Sequence, residues 1–167
     1  MSAKTKESYK NRKELEMLKN ILKAGVLALI TVMAVGCASG GGDANGKLGK
    51  DVYLRGVFTW WDADPQFKLQ PVEGKENVWS ATSAVDEPLI ADGQPYEWKF
   101  GDAAWQCGTN FGFLSGEADI KLGERRQSNK CSAFDNFKFT PEEDGVYRFF
   151  LDWTEELPVV YIEKVEM

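Results

Sequence analysis

From Asp51 to the C-terminus the sequence predicts an all-β domain, an antiparallel sandwich of short strands. Three observations carry this. Apolar residues recur there with a period of two. Turn-forming clusters, "DADP", "EGKEN", "ADGQP" and "PEEDG", interrupt the apolar runs at the spacing of short strands packed in two sheets. No stretch after residue 51 sustains a helical period, and no internal repeat is present. Every Trp and every Phe of the chain lies in this segment, 51–167, which is long enough for one domain with a real core and short of two.

The chain ahead of it obeys other rules. From Met17 the text runs "MLKNILKAGVLALITVMAVGC": a basic start at Lys19 and Lys23, an apolar run from Ala24 to Gly36, then small residues before Cys37. That is the pattern of a secretory signal peptide, expected over residues 1–36. The apolar run is well short of the roughly 20 residues a membrane-crossing helix needs. "AVGC" resembles a bacterial lipobox, which makes Cys37 the expected lipidation site; the competing reading is an ordinary secreted protein cut near Ala38. The polar stretch before Met17 makes Met17 the expected translational start. Residues 37–50, "CASGGGDANGKLGK", are glycine-rich and form the expected flexible tether. Ala38, in place of Asp, points to lipid anchoring in the outer membrane of a Gram-negative cell, periplasmic or surface-exposed.

Within the domain, "DVYLRGVF" sets Val52, Leu54 and Phe58 on one face and Tyr53, Arg55 and Val57 on the other. "NVWSATSAV" is a second run. "YEWKF" puts Tyr96, Trp98 and Phe100 toward the core and Glu97 with Lys99 outward. "NFKFT" buries Phe137 and Phe139, "GVYRFFLDW" buries Tyr147, Phe149 and Leu151, and "PVVYIEKV" closes the chain. The polar segment from Leu114 to Ser132 is expected to be an excursion pinned by Cys131.

Cys107 and Cys131 lie in an exported segment, where thiols pair, and are expected to form one disulfide. Closing a loop of this length contributes about 3 to 4 kcal/mol in the chain-entropy picture. A metal site is a poor rival, because the chain has no His and no close pair of cysteines. Without residues 1–36, which hold seven basic and three acidic residues, thirteen basic residues face twenty-three acidic ones, a net charge of −10. Such a surface repels nucleic acid.

The absence of histidine also removes Ser-His-Asp and Cys-His catalysis, and no glycine-rich phosphate loop occurs. The carboxylate pairs Asp62 with Asp64 and Glu117 with Asp119 could in principle serve glycoside hydrolysis. Both sit in polar, turn-like text and read as solvated charge, so no enzyme and no cofactor is expected. The aromatics say more. Trp98 alternates with core residues. Trp60 and Trp61 are adjacent and point to opposite sides if the strand continues, so at most one is buried. Trp79 and Trp153 read as core or edge packing. Trp105 follows its strand in a loop, where it either caps the open end of the sandwich or offers a binding face. Lys99, outward beside these rings, reads as a solvated side chain or as a donor with an amphipathic stem.

These residues carry a resemblance. "VYLRGVFTWWD" looks like the first strand and turn of the glycogen- and starch-binding domains that precede the catalytic barrels of pullulanases, isoamylases and branching enzymes. "YEWKFGDAAWQCGTNFG" is similar to the pullulanase version of the Lys-Phe strand end with its Trp and Asn-Phe-Gly, and "NFKFTPEEDGVYRFFLDWTEELPVVYIEKV" resembles the closing hairpin. The resemblance spans nearly all of residues 52–165. It implies an immunoglobulin-like, early-set β-sandwich that stacks α-glucan rings on tryptophan, with Trp61, Lys99, Trp105 and Asn110 as carbohydrate-binding residues. Trp60 and Cys107 depart from the family pattern, and no catalytic barrel follows. Two functions stay open: a lipid-anchored glucan-binding protein, and an envelope lipoprotein that uses the same sandwich to bind a protein partner.

Overall fold

Among the described residues the chain forms nine strands: β1 (Tyr53–Gly56), β2 (Gln70–Pro71), β3 (Val78–Thr82), β4 (Tyr96–Gly101), β5 (Asn110–Phe113), β6 (Arg126–Asn129), β7 (Phe137–Phe139), β8 (Tyr147–Asp152) and β9 (Val159–Lys164). The structure is a computed structural model that describes residues 46–166 apart from 115 and 117. The expected signal peptide, Met17, Cys37, most of the tether and Glu117 lie outside the described residues. Among the described residues, helical geometry is confined to three 3-10 turns, at Gly46–Leu48, Val57–Thr59 and Pro65–Phe67.

The strands form an antiparallel sandwich. In one layer β4 pairs with β1 along one edge; along the other it pairs with β7 at Tyr96–Trp98 and with β5 at Phe100–Gly101. The second layer runs β6-β9-β8-β3-β2. Between the layers Trp98 is fully buried, its ring 5.3 Å from Phe100, 5.1 Å from Phe137 and 4.8 Å from Phe149. Leu54, Phe139, Tyr147 and Leu151 are buried in the same cluster, and Phe58, Tyr96 and Trp153 pack partly against it. Each such side chain contributes about 1.5 to 3 kcal/mol by leaving water, so the expected alternation is what holds the layers together. Trp79 is core.

Two expectations need correction. The segment 114–132 is not a plain excursion, because it contains β6. Arg126 and Gln127 pair with β9, whereas Ser128 and Asn129 pair with β5, so β6 is a corner strand that passes from one layer to the other. Its text, "RQSN", lacks apolar residues because main-chain pairing holds it; the buried Ser128 hydroxyl donates to the Gly112 carbonyl at 2.8 Å. Nor does the first strand run the length of "DVYLRGVF" to Phe58. It stops at Gly56, where a Cβ would sit 2.6 Å from the Glu97 carbonyl oxygen, and the chain turns through Val57–Thr59. The expectation that at most one of the paired tryptophans is buried holds, since Trp60 is 87% exposed and Trp61 half-buried.

The rims are covered by the chain itself. Lys68 bridges to Tyr53, and the Leu69 N–H donates to the Val52 carbonyl at 2.8 Å, so the chain entering β2 meets the outer edge of β1. Along β7 the segment Ala118–Ile120 does the same, with Ile120 N–H to Lys138 carbonyl at 2.8 Å and Lys138 N–H to Ala118 carbonyl at 2.9 Å.

Candidate functional site

Strands β1, β4 and β5 turn Arg55, Lys99, Gly101 and Asn110 away from the core, and the register sets them side by side: Arg55 opposite Lys99, and Gly101 opposite Asn110. The loops after β1, β4 and β6 fold over these residues. They border an open cavity of about 600 Å³ lined by Trp61, Lys99, Trp105, Asn110, Phe134 and Asn136, with the bridged Cys107 and Cys131 on its wall. The expected disulfide is formed, and it ties the Trp105 loop to the loop that follows β6.

The Trp105 loop is organised by Asp102. One carboxylate oxygen accepts the Ala104 and Gln106 N–H groups, at 2.9 and 3.0 Å; the other accepts the Thr109 hydroxyl at 2.9 Å and Lys50 at 3.1 Å. Burial pushes this carboxyl up, but the bonds from Gln106, Thr109, Lys50 and Ala104 outweigh it, and the group is held below the usual carboxylate range. The loop delivers Trp105 onto Gly101, where a Cβ would meet the indole at 2.6 and 2.7 Å. The Arg55 guanidinium lies 3.5 Å from the indole centroid. Its Nε donates to the Trp61 carbonyl at 2.7 Å, a second nitrogen reaches the same oxygen, and the third donates to the Asp102 carbonyl at 2.6 Å. One arginine therefore fixes both Trp61 and Trp105. Burial pulls its pKa down, and Asp62 and Asp102 partly oppose that.

The two indoles stand 6.3 Å apart and are inclined at 52°. Both residues, like Trp60, hold a left-handed backbone, with φ of 61° at Trp61, 57° at Trp105 and 53° at Trp60. For a bulky side chain that conformation costs on the order of 1 to 2 kcal/mol, offset for two of them by the Arg55 contacts.

Lys99 corrects the sequence reading. It faces outward from its strand as expected, yet it is only 1% exposed. Its ammonium donates to the Ser132 hydroxyl at 3.0 Å and the Ala133 carbonyl at 3.2 Å. Burial lowers its pKa to about 8; nearby Asp135 opposes the shift and Arg55 adds to it. The lysine is thus no solvated charge, but it still lines the cavity. Asn110 is 5% exposed; its amide donates to the Trp105 carbonyl at 3.3 Å, while Oδ1 has no partner within the protein. A buried acceptor left unpaired costs about 1 to 3 kcal/mol.

All four expected binding residues, Trp61, Lys99, Trp105 and Asn110, therefore meet at one cavity. Arg55, Phe134 and Asn136 were missed. For Arg55 a signal existed: two cations opposite each other on neighbouring strands repel, unless something covers and separates them. Phe134 sits in polar text that shows no period. Of the tempting carboxylates, Asp64 caps a 3-10 turn by accepting from the Gln66 N–H at 2.9 Å, the role of a turn residue.

No protein-family model matches the chain, and no curated protein does. Among solved structures, one described as "Ligand induced structure of AmyP-SBD" matches with a TM-score of 0.50 and 17% identity, over 71% of this chain and 74% of that one. At this level of identity the likeness is one of architecture. The domain shares its fold, an all-β antiparallel sandwich, with that structure.

Proposed function

We propose that this protein is a non-catalytic carbohydrate-binding protein that takes α-glucan in the Trp61–Trp105 cavity. The observation that supports it most is the pair of indoles inclined at 52° over one cavity that Lys99 and Asn110 also line. A glucose ring has a face of C–H bonds and a rim of hydroxyls. Indoles offer large rigid faces to the former, while an ammonium and an amide serve the latter. Inclined platforms suit a chain that turns from one ring to the next, as α-1,4-linked glucan does. They do not suit a straight β-1,4-linked ribbon. The fold likeness to AmyP-SBD supports the same reading.

The arginine backing and the disulfide hold the platforms in place before the sugar arrives, which lowers the ordering cost of binding. An open site of this kind binds in the micromolar to millimolar range, about 4 to 8 kcal/mol. Titration with maltoheptaose is expected to perturb tryptophan fluorescence, and Trp105→Ala to weaken binding at least tenfold, about 1.4 kcal/mol. Cellohexaose is expected to give no response. A folded domain that ignores maltodextrins, glycogen and amylose at millimolar glucose units overturns the glucan reading and leaves the envelope-protein partner in its place.

The same proposal places the domain on a membrane through lipid on Cys37, with the glycine-rich segment as tether and the outer membrane as destination; the signal in the text supports it. Palmitate labelling of the expressed full chain is expected, with loss of label in Cys37→Ser. An unlabelled wild type refutes the anchor.

A further inference from the structure

Phe134 is the most exposed large apolar side chain among the described residues, at 91%, yet it lines the same cavity as the two tryptophans. An exposed ring gives the fold nothing. A flexible tip would explain little, and this tip is braced. Cys131 is bridged to Cys107, and the Ser132 N–H donates to the Asn110 carbonyl at 2.9 Å. The Ser132 hydroxyl accepts from the Lys99 ammonium at 3.0 Å and from the Asp135 N–H at 3.2 Å. The Phe113 N–H donates to the Asp135 carbonyl at 3.1 Å, and the Asn136 N–H to that of Phe134 at 2.9 Å. The loop also sits directly on β5, because a Cβ on Gly112 would meet the Asp135 carbonyl oxygen and the Ser132 hydroxyl at 2.2 Å each. An apolar ring held out of the fold by a braced loop, beside a cavity, is preorganised for a ligand.

The cavity, at about 600 Å³, falls in the middle of the range of about 300 to 1,000 Å³ for pockets that take ligands of several rings. A single hexose on the Trp61–Trp105 pair leaves much of it unfilled. We infer that Phe134 is a third aromatic platform, reached only by a glucan chain that extends past the tryptophan pair, and that it makes the site select longer maltodextrins over maltose. This rests on the glucan reading.

The test compares maltose and maltoheptaose on the whole domain by calorimetric titration, in wild type, Phe134→Ala and Trp105→Ala. Because Phe134 is exposed, its truncation is expected to leave the thermal midpoint unchanged. Phe134→Ala is expected to weaken maltoheptaose about fivefold to tenfold and maltose less than about twofold, whereas Trp105→Ala weakens both at least about tenfold. Phe134→Trp is expected to retain the preference for the longer chain. If Phe134→Ala binds maltoheptaose as wild type does, or loses both sugars equally, the third platform is overturned and the glucan reading stands. A wild type that binds neither sugar overturns both.

Discussion

Trp105 keeps its place because Gly101 has no side chain, and that contact is open to a direct test. Gly101 has no positive φ, so alanine at this position tests space and not backbone conformation. The added Cβ would stand 2.6 Å from Cζ3 and 2.7 Å from Cε3 of Trp105, with the Arg55 Cδ at 3.6 Å. Ordinary carbon contacts begin near 3.5 Å, so the indole must withdraw by roughly 0.9 Å. Withdrawal tilts it off the Arg55 guanidinium, now 3.5 Å from its centroid, and changes its 52° inclination to Trp61. Overpacking of this kind costs about 1 to 3 kcal/mol of stability, offset by up to about 1 kcal/mol from the stiffer unfolded chain. Gly101→Ala is therefore expected to remain folded, with a urea midpoint modestly lowered, and to bind maltoheptaose at least tenfold more weakly, about 1.4 kcal/mol. Gly145→Ala, whose only close approach is 2.9 Å to the flexible end of Lys164, with Tyr147 at an ordinary 3.9 Å, is the control. Wild-type affinity in Gly101→Ala, alongside a failing Trp105→Ala, would show that the glycine seat does not set the platform.

Other outcomes follow from the same contacts. Arg55→Lys keeps a charge but loses the fork that holds the Trp61 and Asp102 carbonyls, and urea titration is expected to show about 2 to 4 kcal/mol less stability. Lys99 releases its proton near pH 8 in the folded domain but near 10.5 when unfolded, so its burial cost is complete below pH 8 and is relieved as pH rises to 10.5. The stability of wild type relative to Lys99→Met is thus expected to climb by roughly 3 kcal/mol across that window; a flat difference refutes the buried ammonium. Denatured but unreduced protein is expected to show no titratable thiol at Cys107 or Cys131, and reduction to lower stability by about 3 to 4 kcal/mol.

The sequence disclosed the layers because strand alternation is a local signal. Tyr96, Trp98 and Phe100 could be assigned to the core from their spacing alone, and so could Phe137 with Phe139. It misjudged what lies on the outward face, because alternation separates two faces without saying which of them water reaches. Lys99 and Arg55 were placed on the correct side, but the return of the loops after β1, β4 and β6 buries them. The second layer shows the same effect: Phe150 and Tyr161 point away from the core and are still buried, with their rings parallel at 4.5 Å. β6 was illegible because a strand that spans the layers through main-chain bonds needs no apolar text, and Phe134 because an exposed ring on a loop leaves no periodic trace.

The covered rims have a consequence for how copies of this domain behave when crowded. β1 is met by the chain entering β2, β7 by Ala118–Ile120, and β6 joins the layers. The far end of β2 is two residues long and carries Pro71, which has no N–H to offer. Among the described residues a neighbouring copy therefore finds no long row of free amides and carbonyls on which to add a strand. On the proposed function, molecules gathered on one glucan chain would therefore meet without edges that recruit one another into fibres.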